Sequence, residues 1–222
     1  MIKNLGYLAS ENLRKILDKG DIIPEWFTYP AVADELKKSV PPKNKRGFTV
    51  FFTGLSSSGK STIANGLVAK LLEVGGRSVT LLDGDLVRTH LSTELGFSKC
   101  HRSLNIQRIG FVASEITKNR GIAICAPIAP YESDRSLNRK LISDFGGYFE
   151  VFVNTSLKKC EERDSKGLYK LARDGKLKQF TGISDPYEVP ENPDIIINSD
   201  GSLKPEILVD MIYTKIKEVG YV

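Results

Sequence analysis

Cysteine is scarce in this chain of 222 residues: Cys100, Cys125 and Cys160 are odd in number and far apart, and Cys125 lies in an apolar run. That excludes a disulfide framework or zinc cage built on cysteine spacing, and reduced thiols are expected. Histidine is scarcer still, and neither His90 nor His101 stands at metal-ligand spacing from a carboxylate or cysteine, which argues against zinc or iron held by the protein. No apolar run reaches the roughly 18 to 20 residues that span a bilayer. Met1-Ile-Lys-Asn leads into charged residues rather than the apolar centre of a secretion signal. The expectation is a soluble, cytoplasmic protein with no membrane partner. Aromatic-interleaved RNA-binding motifs are also missing. The net charge of +5 is therefore read as serving polyanionic small molecules rather than nucleic acid.

What is present, 41% hydrophobic and 27% charged residues, suffices for one substantial core with a small appendage. Residues 1–46 form the appendage: a helical pattern around Leu13–Leu17, then Ile23-Pro-Glu-Trp-Phe27, a helix-like stretch from Ala31 to Leu36, and the charged, proline-bearing linker Pro41–Arg46. From Gly47 short β-branched or aromatic runs alternate with helical periodicity. The runs are Phe48–Thr53, Ser78–Asp83, Ile122–Ala126, Tyr148–Val153 and Ile195–Ile197. Residues 47–222 are thus expected to fold as an α/β domain, a parallel sheet flanked by helices, with its ligands beyond the carboxyl ends of the strands.

Between the first run and the first helix stands Gly54-Leu-Ser-Ser-Ser-Gly59-Lys60-Ser61, followed by Thr62. This is a complete P-loop. The glycines let backbone N–H groups approach phosphate, Lys60 supplies an ammonium for the β and γ phosphates, Ser61 ligates magnesium, and the helix directs its positive end at the same anion. Gly54, Ser57, Ser58, Gly59, Lys60, Ser61 and Thr62 are the expected ATP-binding residues. Leu81-Leu-Asp83-Gly-Asp85 adds carboxylates after a second strand, one for the Mg²⁺ shell (Asp83) and one to accept a proton from the attacking hydroxyl (Asp85). The blander alternatives are a turn linking strand to helix and a solvated Asp-Gly turn. A protein-kinase fold is excluded, for there is no His-Arg-Asp catalytic loop.

Phe51–Thr62, Leu82-Asp-Gly-Asp85 with Arg88, Gly96-Phe97-Ser98 followed by Arg102 and Asn105, Lys166-Gly-Leu-Tyr169 and Phe180-Thr-Gly-Ile183 together resemble adenylylsulfate kinase over residues 47–222. The resemblance implies transfer of the ATP γ-phosphoryl to the ribose 3′-hydroxyl of adenosine 5′-phosphosulfate (APS), giving 3′-phosphoadenosine 5′-phosphosulfate (PAPS), and a homodimer. It places Arg88, Arg102 and Asn105 on the phosphosulfate and sugar, Phe97 and Phe180 on the adenine, Lys166 on the same ligand, and Ile128 and Ala129 at backbone contacts. Lys60 and Asp85 become the catalytic pair. Guanidinium forks and aromatic faces suit such a ligand. By composition alone, Phe97 and Phe180 read as core residues and Arg88 and Arg102 as solvated helix charges. The basic, glycine-bearing stretch from Lys166 to Phe180 reads as a lid.

Three positions depart from the family pattern. Ala129 stands where many members carry a phosphorylatable serine, which leaves direct in-line transfer. Leu86 replaces an asparagine, and His101 an aspartate. Residues 1–46 resemble the C-terminal tail of bacterial ATP sulfurylase, which implies the kinase end of a bifunctional enzyme and association with a sulfurylase. A kinase acting on another nucleotide-like anion and a non-catalytic nucleotide sensor remain as alternatives.

Overall fold

A computed structural model describes residues 2–222, with side chains from residue 11 onward; Met1, the first residue of the opening tetrapeptide, lies outside the described residues. Five strands, β1 (Phe48–Thr53), β2 (Val79–Asp83), β3 (Ile122–Ala126), β4 (Gly147–Asn154) and β5 (Ile195–Asn198), form one sheet in the order β2-β3-β1-β4-β5, parallel at every pairing. All five runs expected from the sequence are strands, with ends moved by a residue or so. The central strand β1 is buried along its whole length, and alternate side chains enter different cores.

Phe48, Val50 and Phe52 pack with Ile63, Leu67 and Leu71 of α3 (Lys60–Val74) and with Leu208, Ile212 and Ile216 of α9 (Pro205–Val219). Phe51 points the other way, to Ile106, Ile109 and Ala113 of α5 (Lys99–Lys118) and Ile142 of α6 (Glu132–Ser143). Each buried aromatic or aliphatic chain contributes roughly 1.5–3 kcal/mol by leaving water, so the period-two pattern of β1 holds both helical layers. Parallel strands need such crossovers, and their carboxyl ends share one edge of the sheet. β1 lies between β3 and β4, so the turn after it opens where the connections diverge, the usual ligand crevice of such sheets.

β2 and β5 are the edge strands; β2 is half-buried throughout and β5 alternates buried with exposed residues. The carboxyl end of β2 passes directly into α4 (Gly84–His90). Two further short helices, α7 (Leu157–Arg163) and α8 (Leu168–Arg173), lie between β4 and β5.

Upstream, the pattern at Leu13–Leu17 belongs to a longer helix, α1 (Ile2–Lys19), and that at Ala31–Leu36 to α2 (Pro30–Ser39). Leu17, Ile23 and Ala33 form a small buried cluster between them. The linker closes as a single 3-10 turn at Lys43–Lys45, and Asp18 of α1 pairs with Arg46 at 2.8 Å and with Lys43 at 3.7 Å.

Candidate active site

The loop after β1 has the backbone its glycines predict. Gly54 and Gly59 have φ of +152° and +104°, and a Cβ on Gly54 would stand 2.8 Å from the Val153 carbonyl oxygen. Ser57 is left-handed too, at φ +57°, an uncommon conformation outside glycine, and the loop leads into the amino end of α3. Lys60 is buried. Its Nζ donates to the carbonyl oxygens of Gly54 at 2.9 Å and Leu55 at 2.6 Å, and to Ser58 Oγ at 3.3 Å. Burial lowers the ammonium to about 8, opposed by the nearby carboxylates of Asp83 and Asp85. Ser61 Oγ donates to Asp83 Oδ2 at 2.7 Å. Two hard oxygen donors, one from the first turn of α3 and one from the end of β2, thus meet beside a lysine, a donor set that fits Mg²⁺ completed by phosphate oxygens and water. Among the described residues no group of three or more His, Cys, Asp or Glu gathers to hold a metal alone.

Asp83 also caps α4, its Oδ1 accepting from the Asp85 N–H at 3.0 Å. The cap uses one oxygen of Asp83, Ser61 takes the other, and the Asp85 carboxylate is left to other partners. Asp85 pairs with Lys166, which belongs to the basic segment read as a lid. That segment is tied to the phosphate loop as well. Tyr169 donates its hydroxyl to Ser56 O at 3.0 Å, and Ser165 Oγ is 3.3 Å from Ser57 Oγ. Left-handed Gly167 and Gln179 mark the bends near either end. Thr62, the last residue of the motif, sits exposed on the first turn of α3.

The residues assigned by resemblance to the acceptor divide in two. Arg88 donates to Leu95 O and Gly96 O at 3.2 Å and lies 4.5 Å from the ring centre of Phe97, whose other surface is open: Phe97 is 54% exposed. It is not a core residue. Arg102 is not a solvated helix charge either, for it is 7% exposed, paired with Asp185 and donating to Thr181 Oγ1 at 2.6 Å. One turn on, buried Asn105 has an Oδ1 with no hydrogen-bond partner. Phe180, by contrast, is 9% exposed and packs edge-on against Tyr169 with ring centres 5.0 Å apart. The core reading thus describes its present contacts. Ile128 O accepts from Gly54 N–H and Thr53 Oγ1, and Ala129 O from Thr53 Oγ1 and Arg135, so both carbonyls are engaged within the protein. Ala129 is buried at φ +45°.

Two contributors escaped the sequence reading. Tyr187, whose hydroxyl lies 2.8 Å from Thr53 Oγ1, walls a cavity of ≈ 480 Å³ with Leu55 and the stretch from Gly182, whose first two residues belong to the Phe180-Thr-Gly-Ile183 motif. Arg163 donates to Ser58 O at 3.2 Å and Ser199 O at 2.6 Å, tying α7 to the phosphate loop. Neither sits in a recognisable local pattern, and only Pro186 beside Tyr187 hinted at an ordered turn. No helix among the described residues is long and apolar enough to cross a membrane.

Comparison with known proteins agrees with this geometry. The sulfate adenylyltransferase of Coccidioides immitis (strain RS) is 52% identical over 197 residues, covering 89% of this chain and 34% of that protein. The sulfate adenylyltransferase of Mycosarcoma maydis is 47% identical over 208 residues, 92% of this chain and 36% of that one. The chain therefore spans about a third of the length of the curated relatives it matches. Among solved structures, the hexameric APS kinase from Thiobacillus denitrificans superposes with a TM-score of 0.77 at 48% identity, over 96% of this chain and 37% of that one. The Mycobacterium tuberculosis APS kinase CysC in complex with AMPPNP and APS gives 0.74 at 39% identity, over 78% of this chain and 98% of that one. The model of the adenylylsulphate kinase family matches residues 46–198. A parallel sheet with a phosphate loop at its centre, an oxygen pair for a hard cation and that match lead to one conclusion: the chain is a kinase and belongs to the adenylylsulphate kinase family.

Proposed function

We propose that the chain transfers the γ-phosphoryl group of MgATP to the ribose 3′-hydroxyl of APS, forming PAPS. The observation that carries this reading is the segment around Lys166, which is bonded at once to the phosphate loop through Tyr169 and to Asp85 in the first turn of α4. One element thus touches both halves of a two-substrate site. Gly54 to Thr62 hold the nucleotide. Lys60 would exchange its carbonyl partners for β- and γ-phosphate oxygens, and Ser61 with Asp83 would hold Mg²⁺. Magnesium, when bound, neutralises charge on the transferring group.

Asp85 accepts the hydroxyl proton as the ribose oxygen attacks the γ-phosphorus in line and ADP leaves. Arg102 and Asn105 anchor the acceptor's charged and sugar portions, and Phe97 offers its open face to the adenine. Arg88 supports Phe97 from behind and Lys166 draws the acceptor towards Asp85. Phe180 completes the adenine site by turning out from Tyr169 when the lid rearranges. Ile128 and Ala129 shape the floor, and alanine at 129 leaves transfer direct. Residues 1–46 are proposed as a sulfurylase-like tail that associates with a sulfurylase, and the enzyme as a cytoplasmic homodimer. The relatives support APS because one solved neighbour was captured with AMPPNP and APS.

The test is ADP release with MgATP and a panel of nucleotides, with product identified by mass. APS is expected to be preferred and PAPS formed. Turnover confined to a different acceptor would reject the APS assignment while leaving a kinase.

A further inference from the structure

His101, a residue outside the set assigned to the reaction, is joined to the loop that carries Phe97. Its Nδ1 accepts the Gly96 N–H at 2.9 Å, and its own N–H is capped by Ser98 Oγ at 3.3 Å. The Arg88 guanidinium takes the carbonyls of Leu95 and Gly96. Gly96 is thus held at both its polar groups, N–H by His101 and C=O by Arg88. Phe97 follows directly in the chain, with one face on Arg88 and the other open.

We infer that His101 is a positioning residue for the acceptor: through Gly96 it fixes the direction in which Phe97 presents its free face. The inference rests on the proposal that Phe97 stacks on the acceptor base. A loop between α4 and α5 has no strand ladder to hold it, so side-chain bonds to its backbone decide its conformation. Leu95 N–H donates back to Ser92 O, which leaves the Gly96 N–H as the donor served by a side chain of α5. An imidazole accepts at Nδ1 only when that nitrogen carries no proton, so the bond selects the tautomer protonated at Nε2. The geometry also names its substitutes. Oδ1 of asparagine or aspartate branches from Cγ as Nδ1 does and reaches the same N–H, whereas leucine matches the bulk without an acceptor.

The experiment compares the full chain with His101→Leu and His101→Asn by two readouts, amide exchange at Gly96 by nuclear magnetic resonance and steady-state kinetics with saturating MgATP. His101→Leu is expected to speed Gly96 exchange about 2- to 12-fold, the range of one lost hydrogen bond. It should raise the acceptor KM by a similar, roughly 2- to 12-fold factor and leave kcat within about twofold. His101→Asn should restore both. Unchanged Gly96 exchange in His101→Leu, a fall in kcat with KM unmoved, or no rescue by His101→Asn would each overturn the inference. Because His101 is exposed, His101→Ala serves as the acceptor-free variant should leucine prevent folding. If the wild type proves to use a nucleotide other than APS, the APS assignment fails by itself. The same two readouts, taken with the nucleotide that is used, still decide the role of His101.

Discussion

Lys60 spends its three protons on oxygens of its own loop in a buried setting that holds its ammonium near 8. The sign follows. With the folded value depressed, the free protein loses this charge as pH rises through about 8, while bound phosphate favours the charged form. Nucleotide binding above that point must therefore take up a proton. The MgATP dissociation constant, measured by calorimetry, should be nearly flat below about pH 7 and rise above about pH 8, approaching tenfold per unit. A curve flat to about pH 9.5 would mean that Lys60 stays charged without nucleotide. Lys60→Ala should abolish turnover, and turnover surviving it would revive the reading of this chain as a sensor. Asp85→Asn keeps size and loses basicity. If Asp85 takes the proton, kcat should fall roughly 10²- to 10⁴-fold with MgATP binding intact. Arg102→Ala removes a buried cation from Asp185 and should raise the acceptor KM without changing MgATP affinity.

At the scale of elements, the segment from Asp164 to Gly182 behaves as one device. Its grip on the phosphate loop is a tyrosine hydroxyl and a serine pair, its grip on the first turn of α4 is Lys166, and Arg102 reaches Gln179 O at 3.4 Å. Tyr169→Phe deletes the hydroxyl bond and keeps the ring against Phe180. It should loosen the segment by about 0.5–1.5 kcal/mol and raise ADP release in the absence of acceptor, because water enters a site less well covered. Equal background hydrolysis in the variant would show that the bond to Ser56 does not govern coverage. The expectation of a lid from Lys166 to Phe180 rests on the glycines and charge of that stretch. Its attachment was not legible there, since Tyr169 and Ser56 are 113 residues apart and no local pattern pairs them.

Across the whole molecule, the most deeply buried charge among the described side chains is Arg135, fully enclosed. It donates to Ala129 O and Glu188 O at 2.8 Å and faces Glu150 at 3.4 Å, while Arg139 links Glu150 to Asp194. Burial pushes Glu150 up, opposed by the two arginines. The network joins α6, β4 and the segments that lead to the cavity. Arg135→Leu would leave Glu188 O without its donor, Glu150 with Arg139 alone and Ala129 O with Thr53 alone, and should cost about 1–3 kcal/mol, read by thermal denaturation. A loss under about 1 kcal/mol would mean that water replaces it.

The sequence by itself determined the five strands, their parallel arrangement and the phosphate loop, because periodicity, glycine at left-handed positions and the Lys-Ser pair act within a few residues of chain. The resemblance to a family singled out Arg88, Phe97, Arg102 and Asn105. Which of the four are buried and which exposed was decided only by the tertiary structure. Burial of Arg102 depends on Asp185 and Thr181, some 80 residues away, and exposure of Phe97 on a loop held by Arg88 and His101. The same long-range packing turned β2 into an edge, buried Phe180 against Tyr169 and brought Tyr187 to Thr53. Contacts between distant segments carry no local signature, since they are set by how two helical layers close on one sheet.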